Sequence, residues 1–392
     1  MSVTADILVV GLGAVGSAAL YQAAKLGARV IGLDRFHPPH GFGSSHGETR
    51  ITRQAIGEGT EYVPLVLRSN EIWEELEKAT GRRLLTRSGV LILASPHTAG
   101  DHHGSKSFLA DTAAIAEHNN IAHEVLSTEE VRRRFPQFRL EQEESGYFER
   151  GAGFLRPEAC VETQLAAARQ LGAQIRTGET ALELHARAES VQVISDREQY
   201  EADKVIVSAG PWIGRLLPAH IAQYLQVYRQ MMCWFALANN RGQYTPEKFP
   251  VFIWITGNRP SDMLYGFPQI DGLEGVKVAT ESYEHATDPD RVDRTVKPAE
   301  IQRLYSRYIS ARLPDVSPNS LRAATCLYTV APGARFVIDT ADESGRVLFA
   351  STCSGHGFKH SAAIGEALAR QALGFPPMVD TRPFRAKWVE QL

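Results

Sequence analysis

The sequence predicts an α/β protein, α+β over the whole chain, in which two domains are interleaved. Short apolar strands alternate with helical patterns near the start, in the middle and near the end of the 392-residue chain. Between them, residues 228–280 contain several strand patterns and no helical one, which is typical of an antiparallel sheet. The length also exceeds what a single core usually supports, so two domains are expected.

The first βαβ pattern covers residues 7–34. An apolar strand leads into a G-x-G-x-x-G motif, an alanine-rich helix ends near Gly27, and a second strand stops at Asp34. Such glycines allow a tight turn, close approach of a pyrophosphate and close packing of helix on strand. An acid at this distance suits a hydrogen bond to an adenosine ribose. The candidate contacts are Gly11, Gly13, Ala14, Val15, Gly16, Asp34 and Arg35.

This stretch has two plainer interpretations. The first is a glycine-rich turn in an ordinary βαβ unit, and it remains possible because the motif alone is a weak signal for a dinucleotide. A signal peptide or membrane anchor is excluded. The apolar run 7–20 has no basic flank, has Asp6 at its edge, and is shorter than the roughly 20 residues that a span needs.

Composition narrows the classes of function. A net charge of −3 gives no reason to expect a nucleic acid or a membrane surface as partner. The four cysteines form no C-x-x-C pair, so neither a disulfide framework nor a metal site is expected. The sequence therefore predicts a protein of the reducing cytoplasm that acts on a small molecule.

The other elements follow from periodicity and from turn residues. Helices are predicted at 67–80, 106–119, after Ser127 in a capping box, at 158–171, 298–313 and 359–373. Strands are predicted at 29–33, 90–94, 181–184, 191–194, 205–207, 231–237, 251–256, 263–267, 276–280, 335–340 and 347–352.

Two irregular stretches are candidates for function. Residues 36–50 form a long loop of prolines, glycines and histidines, and residues 208–212 form a small-residue turn suited to lie against a nucleotide. The nucleotide-binding segments are thus distant in sequence, which favours a flavoprotein of the glutathione-reductase type. The sequence predicts a Rossmann-like FAD domain of residues 1–82, 150–218 and 321–392, and a substrate domain of residues 83–149 and 219–320.

Several motifs have the order seen in one family. They are Gly43-Ser44-Ser45-His46-Gly47-Glu48-Thr49-Arg50, Gly57-Glu58-Gly59-Thr60-Glu61-Tyr62-Val63-Pro64, Tyr265-Gly266-Phe267-Pro268, Cys326-Leu327-Tyr328-Thr329 and Ser354-Gly355-His356-Gly357-Phe358-Lys359. The chain resembles the monomeric sarcosine oxidase and N-methyltryptophan oxidase family, within the D-amino-acid-oxidase-like flavoproteins, nearly from end to end. The resemblance implies FAD, a monomer and oxidation of the carbon–nitrogen bond of a secondary amine.

The resemblance also implies roles for single residues. Cys326, a small strand residue on its own sequence context, matches the cysteine that binds the flavin 8α carbon as a thioether. Arg53 and Lys359 match the pair that grips the substrate carboxylate, and Lys277 matches the lysine that activates oxygen. Tyr265 and Tyr328 match aromatic residues that line the substrate cavity in the family.

Two further segments are expected to surround the flavin. Ser44, His46, Thr49 and Arg50 lie on the loop that would pass the pyrophosphate and the ring. The helix after the glycine-rich turn would point its N-terminus at the flavin pyrimidine, where negative charge gathers on reduction. This second segment comprises Gly355, His356, Gly357, Phe358 and Lys359.

Departures from the family pattern leave the substrate open. The sarcosine-oxidising members have a tyrosine where this chain reads Gln54-Ala55-Ile56, and a cavity methionine is replaced by Ile253. Glu281 stands where a histidine is expected. Its carboxylate favours a cationic or larger polar substrate if it faces the cavity, and has no such effect if it points away.

The predicted reaction is hydride transfer from the carbon beside the nitrogen of an N-methyl or cyclic amino acid to flavin N5. Hydrolysis of the imine and reduction of O₂ to hydrogen peroxide follow. No general base is evident in the sequence. The alternatives are a flavin dehydrogenase with another electron acceptor, a non-catalytic flavin- or nucleotide-binding protein, and a nicotinamide dehydrogenase.

Overall fold

The computed structural model describes residues 3–98, 102–141, 143–259 and 261–386. Its helices are α1 (Ala14–Lys25), α2 (Val63–Thr80), α3 (Phe108–His118), α4 (Thr128–Arg134), α5 (Pro157–Gln170), α6 (Ala219–Ala222), α7 (Pro298–Leu304) and α8 (Ser361–Ala372). Its strands are β1 (Val3–Val10), β2 (Val30–Asp34), β3 (Arg50–Thr52), β4 (Leu85–Thr86), β5 (Val90–Ala94), β6 (Glu124–Leu126), β7 (Ser145–Glu149), β8 (Gly153–Leu155), β9 (Gln174–Thr177), β10 (Ala181–Ala186), β11 (Val191–Ser195), β12 (Gln199–Val207), β13 (Gln226–Leu237), β14 (Val251–Ile255), β15 (Met263–Phe267), β16 (Gly275–Thr280), β17 (Val316–Val330), β18 (Val337–Thr340) and β19 (Val347–Ser351).

The first sheet is built around parallel strands. Strand β1 lies between β2 and β12, β9 extends the sheet beyond β2, and β19 pairs in parallel with the end of β12. The antiparallel pair β10–β11 joins the first half of β12, and β18 pairs with β19. Apolar side chains such as Ile7 and Val9 are fully buried, as expected for strands covered on both faces.

Helices α1 and α8 pack together against this sheet. A Cβ atom at position 365 of α8 would lie 2.4 Å from Ala18 Cβ of α1, so glycine is required for this contact. The same packing core includes Ala363, Ile364 and Leu368 of α8. The predicted fold class is therefore confirmed, with segments from the start, middle and end of the chain in one sheet.

The second sheet has eight strands in the order β17-β13-β16-β15-β14-β5-β7-β6. The sequence predicts it as antiparallel, and all its pairs are antiparallel except β5 with β14. These two strands are far apart in sequence, so no tight hairpin restricts them to the antiparallel arrangement. A small antiparallel sheet, β3-β8-β4, lies outside the two large ones.

Several elements differ from the sequence prediction, and three of them bear on the site or on the domain division. The predicted helix 298–313 ends as α7 at Leu304 and continues as a π-helical turn, Tyr305–Ile309. The predicted helix 359–373 begins with a 3₁₀ turn, Phe358–His360, before α8. The fifteen-residue strand β17 is absent from the predicted strands, although Cys326 within it is expected to be a strand residue. Its start includes Pro318, which an edge strand tolerates.

The course of β17 also bears on the domain division. The predicted boundary between residues 320 and 321 falls inside this strand, which pairs with β13 over most of its length. The strand is therefore continuous from the second sheet toward Cys326 and Tyr328, two of the predicted site residues.

Local signals agree with the structure elsewhere. Ser127 and Glu130 form the predicted capping box at the start of α4. Among the described residues, no helix combines the length and the apolar character that a membrane crossing requires.

Candidate active site

A cleft crosses the carboxyl ends of the parallel strands of the first sheet. It encloses about 1470 Å³ of space, open solvent included. Val10 at the end of β1, Asp34 at the end of β2, Ser208 after β12 and Ser351 at the end of β19 line it. This is the edge at which ligands bind in open α/β sheets.

The glycine motif forms one wall of the cleft. Gly11 has φ +85°, and a Cβ atom there would lie 2.6 Å from Ala209 Cα, so only glycine fits. Helix α1 has no side-chain cap at its start, which leaves its first N–H groups without helical partners. Gly16 faces away from the cleft, since its Cβ would lie 1.7 Å from Gly11 O. The turn therefore presents backbone donors to an anion.

Asp34 is held in place by backbone donors. The N–H of Leu12 donates to Asp34 Oδ2 at 2.7 Å, and the N–H of Phe36 donates to Oδ1 at 2.7 Å. Burial raises the pKa of Asp34, while these two hydrogen bonds oppose the rise. Arg35 also lines the cleft and pairs with Asp290 at 2.8 Å.

The loop at residues 43–50 contacts β17. The N–H of Leu327 donates to Gly43 O at 3.2 Å, and the Ser44 hydroxyl donates to Leu327 O. Arg50 donates to Ser44 O at 2.7 Å, and its guanidinium lies 3.6 Å from Cys326 Sγ. Burial raises the pKa of the Cys326 thiol, and the Arg50 charge opposes that rise. The predicted loop and the predicted cysteine are thus neighbours.

Lys277 reaches the same loop from β16. Its Nζ donates to Gly47 O at 2.8 Å and to Thr49 O at 2.7 Å, and it lies 4.2 Å from the centre of the Phe267 ring. Burial, together with Arg50, lowers the pKa of Lys277 well below its usual value. Burial also lowers the pKa of His46 to about 3, so this imidazole is neutral.

Arg53 is buried against a carboxylate of the chain itself. Its guanidinium pairs with Glu58 Oε2 at 2.5 Å, with 2% and 3% of the two side chains exposed. The preceding turn is fixed by Glu149, which accepts from the N–H of Gln54 at 2.7 Å and of Ala55 at 3.2 Å. Although burial opposes it, Arg53 holds the pKa of Glu58 well below its usual range.

Lys359 belongs to the same charge cluster. Its Nζ donates to His356 O at 2.6 Å, and only 4% of the residue is exposed. Burial lowers the pKa of Lys359 to about 7, while the negative charge of Glu58 opposes the drop. A lysine at a helix start needs an anionic partner, and Glu58 provides one within the chain.

Glu281 faces the glycine-rich turn. A Cβ atom at position 355 would lie 3.2 Å from Glu281 Oε1, and Gly355 lines the cleft. Glu281 Oε2 lies 2.6 Å from His103 Nε2, and the Tyr283 hydroxyl donates to it at 2.6 Å. The carboxylate therefore lies beside the glycine-rich turn of the cleft, although Glu281 itself is not among the residues that line the cleft.

Two tyrosines stand beside this carboxylate. Their hydroxyl oxygens are 3.2 Å apart, and Tyr328 lines the cleft. Burial, followed by the Glu281 charge, raises the pKa of Tyr265, and burial raises that of Tyr328 well above its usual value. Both side chains are therefore neutral phenols.

The structure divides the predicted site residues into two sets. Those that line the cleft are Gly11, Gly13, Ala14, Val15, Asp34, Arg35, Ser44, Arg50, Tyr328, Gly355, Gly357 and Phe358. Those that lie behind or beside the lining are Gly16, His46, Thr49, Arg53, Tyr265, Lys277, Cys326, His356 and Lys359. His356 in particular turns away, since its Nε2 is bonded to Ala334 O at 2.9 Å.

Sequence reasoning missed three members of the cluster. Glu58 lies inside a quoted family motif, yet no role is assigned to it there. His103 and Tyr283 show no local signal, because their place beside Glu281 arises only from the tertiary fold. Among the described residues, no group of histidine, cysteine or acidic side chains is arranged to hold a metal ion.

Comparisons with known proteins cover nearly the whole chain. The profile of the family described as FAD dependent oxidoreductase matches residues 6–371. The monomeric sarcosine oxidase of Streptomyces avermitilis is 36% identical over 375 residues, which cover 95% of this chain and 94% of that protein. The N-methyl-L-tryptophan oxidase of Yersinia pestis is 34% identical over 385 residues, covering 97% and 98%. The open form of NikD, described as an unusual amino acid oxidase essential for nikkomycin biosynthesis, gives a TM-score of 0.83 at 25% identity and covers 98% of both chains.

Proposed function

The chain belongs to the FAD dependent oxidoreductase family, and from this premise we propose that it oxidises the carbon–nitrogen bond of a secondary amine. The substrate is an N-methyl or cyclic amino acid, and O₂ is the electron acceptor. The observation that supports this most is the pair of buried cations, Arg53 and Lys359, next to a cleft suited to a dinucleotide. Two groups of relatives act on such amines by name, as sarcosine and N-methyl-L-tryptophan oxidases.

The residues of the cleft suit FAD. The uncapped start of α1 and the close approach at Gly11 suit a pyrophosphate, and the Asp34 carboxylate suits a ribose hydroxyl. The space of about 1470 Å³, open solvent included, is lined by residues at the ends of four parallel strands. FAD, when bound there, accepts a hydride from the substrate and passes the electrons to O₂.

Arg53 and Lys359 would bind the substrate carboxylate. A guanidinium fork donates two hydrogen bonds to a carboxylate, and the ammonium adds a point charge. Glu58 already pairs with Arg53 at 2.5 Å, so an incoming carboxylate must share or displace this contact. Tyr265 and Tyr328, both neutral, would form the wall of the substrate cavity.

Lys277 would stabilise negative charge that develops on O₂ as it is reduced. Its Nζ is oriented by two loop carbonyls and by the face of Phe267, all within a buried site. Burial lowers the pKa of this lysine, but negative charge developing beside it would favour its protonated form, and that attraction is stronger in a buried site than in water. This role separates an oxidase from the alternative, a dehydrogenase that passes its electrons to another acceptor.

Cys326 would attach the flavin covalently through its sulfur. Its thiol is buried, and the guanidinium of Arg50 at 3.6 Å favours the thiolate that such an attachment needs. We also propose that the chain works as a monomer in a reducing cytoplasm. The four free cysteines support a reducing compartment, and the relative from Streptomyces avermitilis is named as a monomeric enzyme.

The first prediction tests the reaction. Loaded with FAD and kept free of oxygen, the protein should lose its flavin absorbance with at least one N-methyl or cyclic amino acid. On admission of air the colour should return with release of peroxide. Bleaching without peroxide would indicate the dehydrogenase. If none of the N-methyl and cyclic amino acids tested bleached the flavin, the protein would be a non-catalytic flavin-binding protein. If the protein stayed colourless after incubation with FAD, a nicotinamide enzyme would be favoured.

The second prediction concerns pH. Binding of 2,2-dimethylpropanoate, a carboxylate without an amine, should weaken by about tenfold per pH unit above about pH 7. Lys359, with its pKa lowered to about 7, is charged below that pH and loses its charge above it. Calorimetric titration at several pH values measures the effect. Lys359→Arg is the control, because its guanidinium stays charged and its affinity should not fall. If the affinity of both proteins changed with pH in the same way, Lys359 would not be a group that binds the carboxylate.

The third prediction concerns oxygen. Lys277→Met should slow reoxidation of the reduced flavin by at least about tenfold and leave its reduction by substrate within a factor of about three. Stopped-flow absorbance separates the two half-reactions. Lys277→Arg retains a cation and should recover part of the rate. A similar loss in both half-reactions would speak against this role.

The fourth prediction concerns attachment. After acid precipitation, the yellow colour should stay with the protein pellet, and Cys326→Ser should release all of it into the supernatant. Cys353→Ser is a matched control, since Cys353 also lines the cleft as a free thiol. Colour lost from the Cys353→Ser pellet, or absent from the native pellet, would contradict attachment at Cys326.

A further inference from the structure

Glu281 and His103 form a buried ion pair beside the cleft. His103 Nε2 lies 2.6 Å from Glu281 Oε2, with 7% and 4% of the two side chains exposed. The Tyr283 hydroxyl donates to the same oxygen at 2.6 Å. Although burial opposes it, the charge of Glu281 raises the pKa of His103, which favours the imidazolium form. Oxygen Oε2 is therefore fully engaged by two donors.

The second oxygen of Glu281 is differently placed. Within the described part of the chain, Oε1 makes no hydrogen bond. It lies 3.2 Å from the position that a Cβ atom of Gly355 would occupy, and Gly355 lines the cleft. The backbone of Gly355 thus comes close to the Oε1 side of the carboxylate, which lies next to the cleft wall without lining it.

Several other groups face this carboxylate. Tyr265 and Tyr328 lie near enough for its charge to contribute to their raised pKa values. The negative charge of Glu281 also acts on the pKa of Lys359, and His103 Nδ1 lies 3.8 Å from Glu58 Oε1. The Glu281–His103 pair is therefore next to the proposed carboxylate clamp, which is formed by Arg53 and Lys359. An amino acid bound there by its carboxylate would bring its amine toward this pair.

The proposed reaction creates a need for a base at this place. An alkylated amino acid in water is an ammonium at neutral pH. A hydride can leave the neighbouring carbon only when the nitrogen has a free electron pair, so one proton must be removed first. Nothing else in the proposed mechanism receives that proton.

We propose that Glu281, oriented by His103 and Tyr283, accepts the proton of the substrate ammonium within the bound complex. The N–H bond breaks and leaves its electron pair on nitrogen, while an O–H bond forms at Glu281 Oε1. The positive charge is then held by His103, so the sum of charges in the pocket does not change. This step rests on the proposed function and needs no further reactant.

The test is the rate of anaerobic flavin reduction as a function of pH, from about pH 6 to about pH 10. The native rate should be nearly constant. Glu281→Gln should be about 100-fold slower near pH 7 and should recover as the pH rises, because the solution then supplies neutral amine. A residue that only supports the fold gives a deficit that high pH does not repair. Glu284→Gln, an exposed acid three residues further on, should match the native profile.

A second variant and a binding measurement keep the proposal falsifiable. His103→Gln leaves the carboxylate without its cation, so the acid limb of the rate profile should move to higher pH. For binding, 2-aminoisobutyrate serves as the probe, because it has no hydrogen on the carbon beside its nitrogen. Calorimetry in two buffers should find no net proton release with the native protein and release of one proton with Glu281→Gln.

The outcomes separate this inference from the proposed function. If secondary amines bleach the native flavin while Glu281→Gln and His103→Gln retain the native pH profile, the proton transfer is wrong and the amine oxidase stands. If no amine bleaches the native flavin, the proposed function fails. Retained affinity of Glu281→Gln for 2,2-dimethylpropanoate shows that the clamp and the fold of the variant are intact.

Discussion

Backbone carbonyl groups of the loop at residues 44–49 are the constraint on which the rest of the site depends. Ser44 O accepts from Arg50, and Gly47 O and Thr49 O accept from Lys277, which stands on the second sheet. From the other side, Glu158 at the start of α5 accepts from the N–H of Gly47 at 2.6 Å. The loop is therefore held to the second sheet through Lys277 and to helix α5 through Glu158, which fixes its position beside the cleft. Losing one buried partner would cost about 1–3 kcal/mol.

Two cations near the cleft are buried against carboxylates of opposite charge. Arg53 with Glu58, and His103 with Glu281, each place a cation within hydrogen-bond distance of a carboxylate. An isolated charge could not be held in such surroundings, since desolvation would drive it to its neutral form. Lys359, whose Nζ donates to a peptide carbonyl, shows this effect, since burial lowers its pKa to about 7. Pairing therefore decides which groups remain charged where the substrate is expected.

Sequence patterns predict the strongly periodic parts of this fold and miss what depends on distant contacts. Strands β5 and β15 have the bounds that alternation and flanking turn residues predict, and the glycine motif lies where a dinucleotide needs it. The start of β17 is missed because its neighbours in the sheet, rather than its own polar residues, make it a strand. Glu281 can be noticed as a departure from a family pattern, but its direction follows only from contacts with His103 and Tyr283.

Glu58 has a consequence for what else can enter the site. The chloride, phosphate and acetate of a cell meet a guanidinium that already has its own tethered counter-ion. A simple anion gains little by replacing a carboxylate that is held at high effective concentration. A zwitterion gains more, because its nitrogen brings additional contacts along with its carboxylate. If Arg53 binds the substrate as proposed, Glu58 would thereby protect it from small competing anions, and discrimination between ligands would begin before any chemistry takes place.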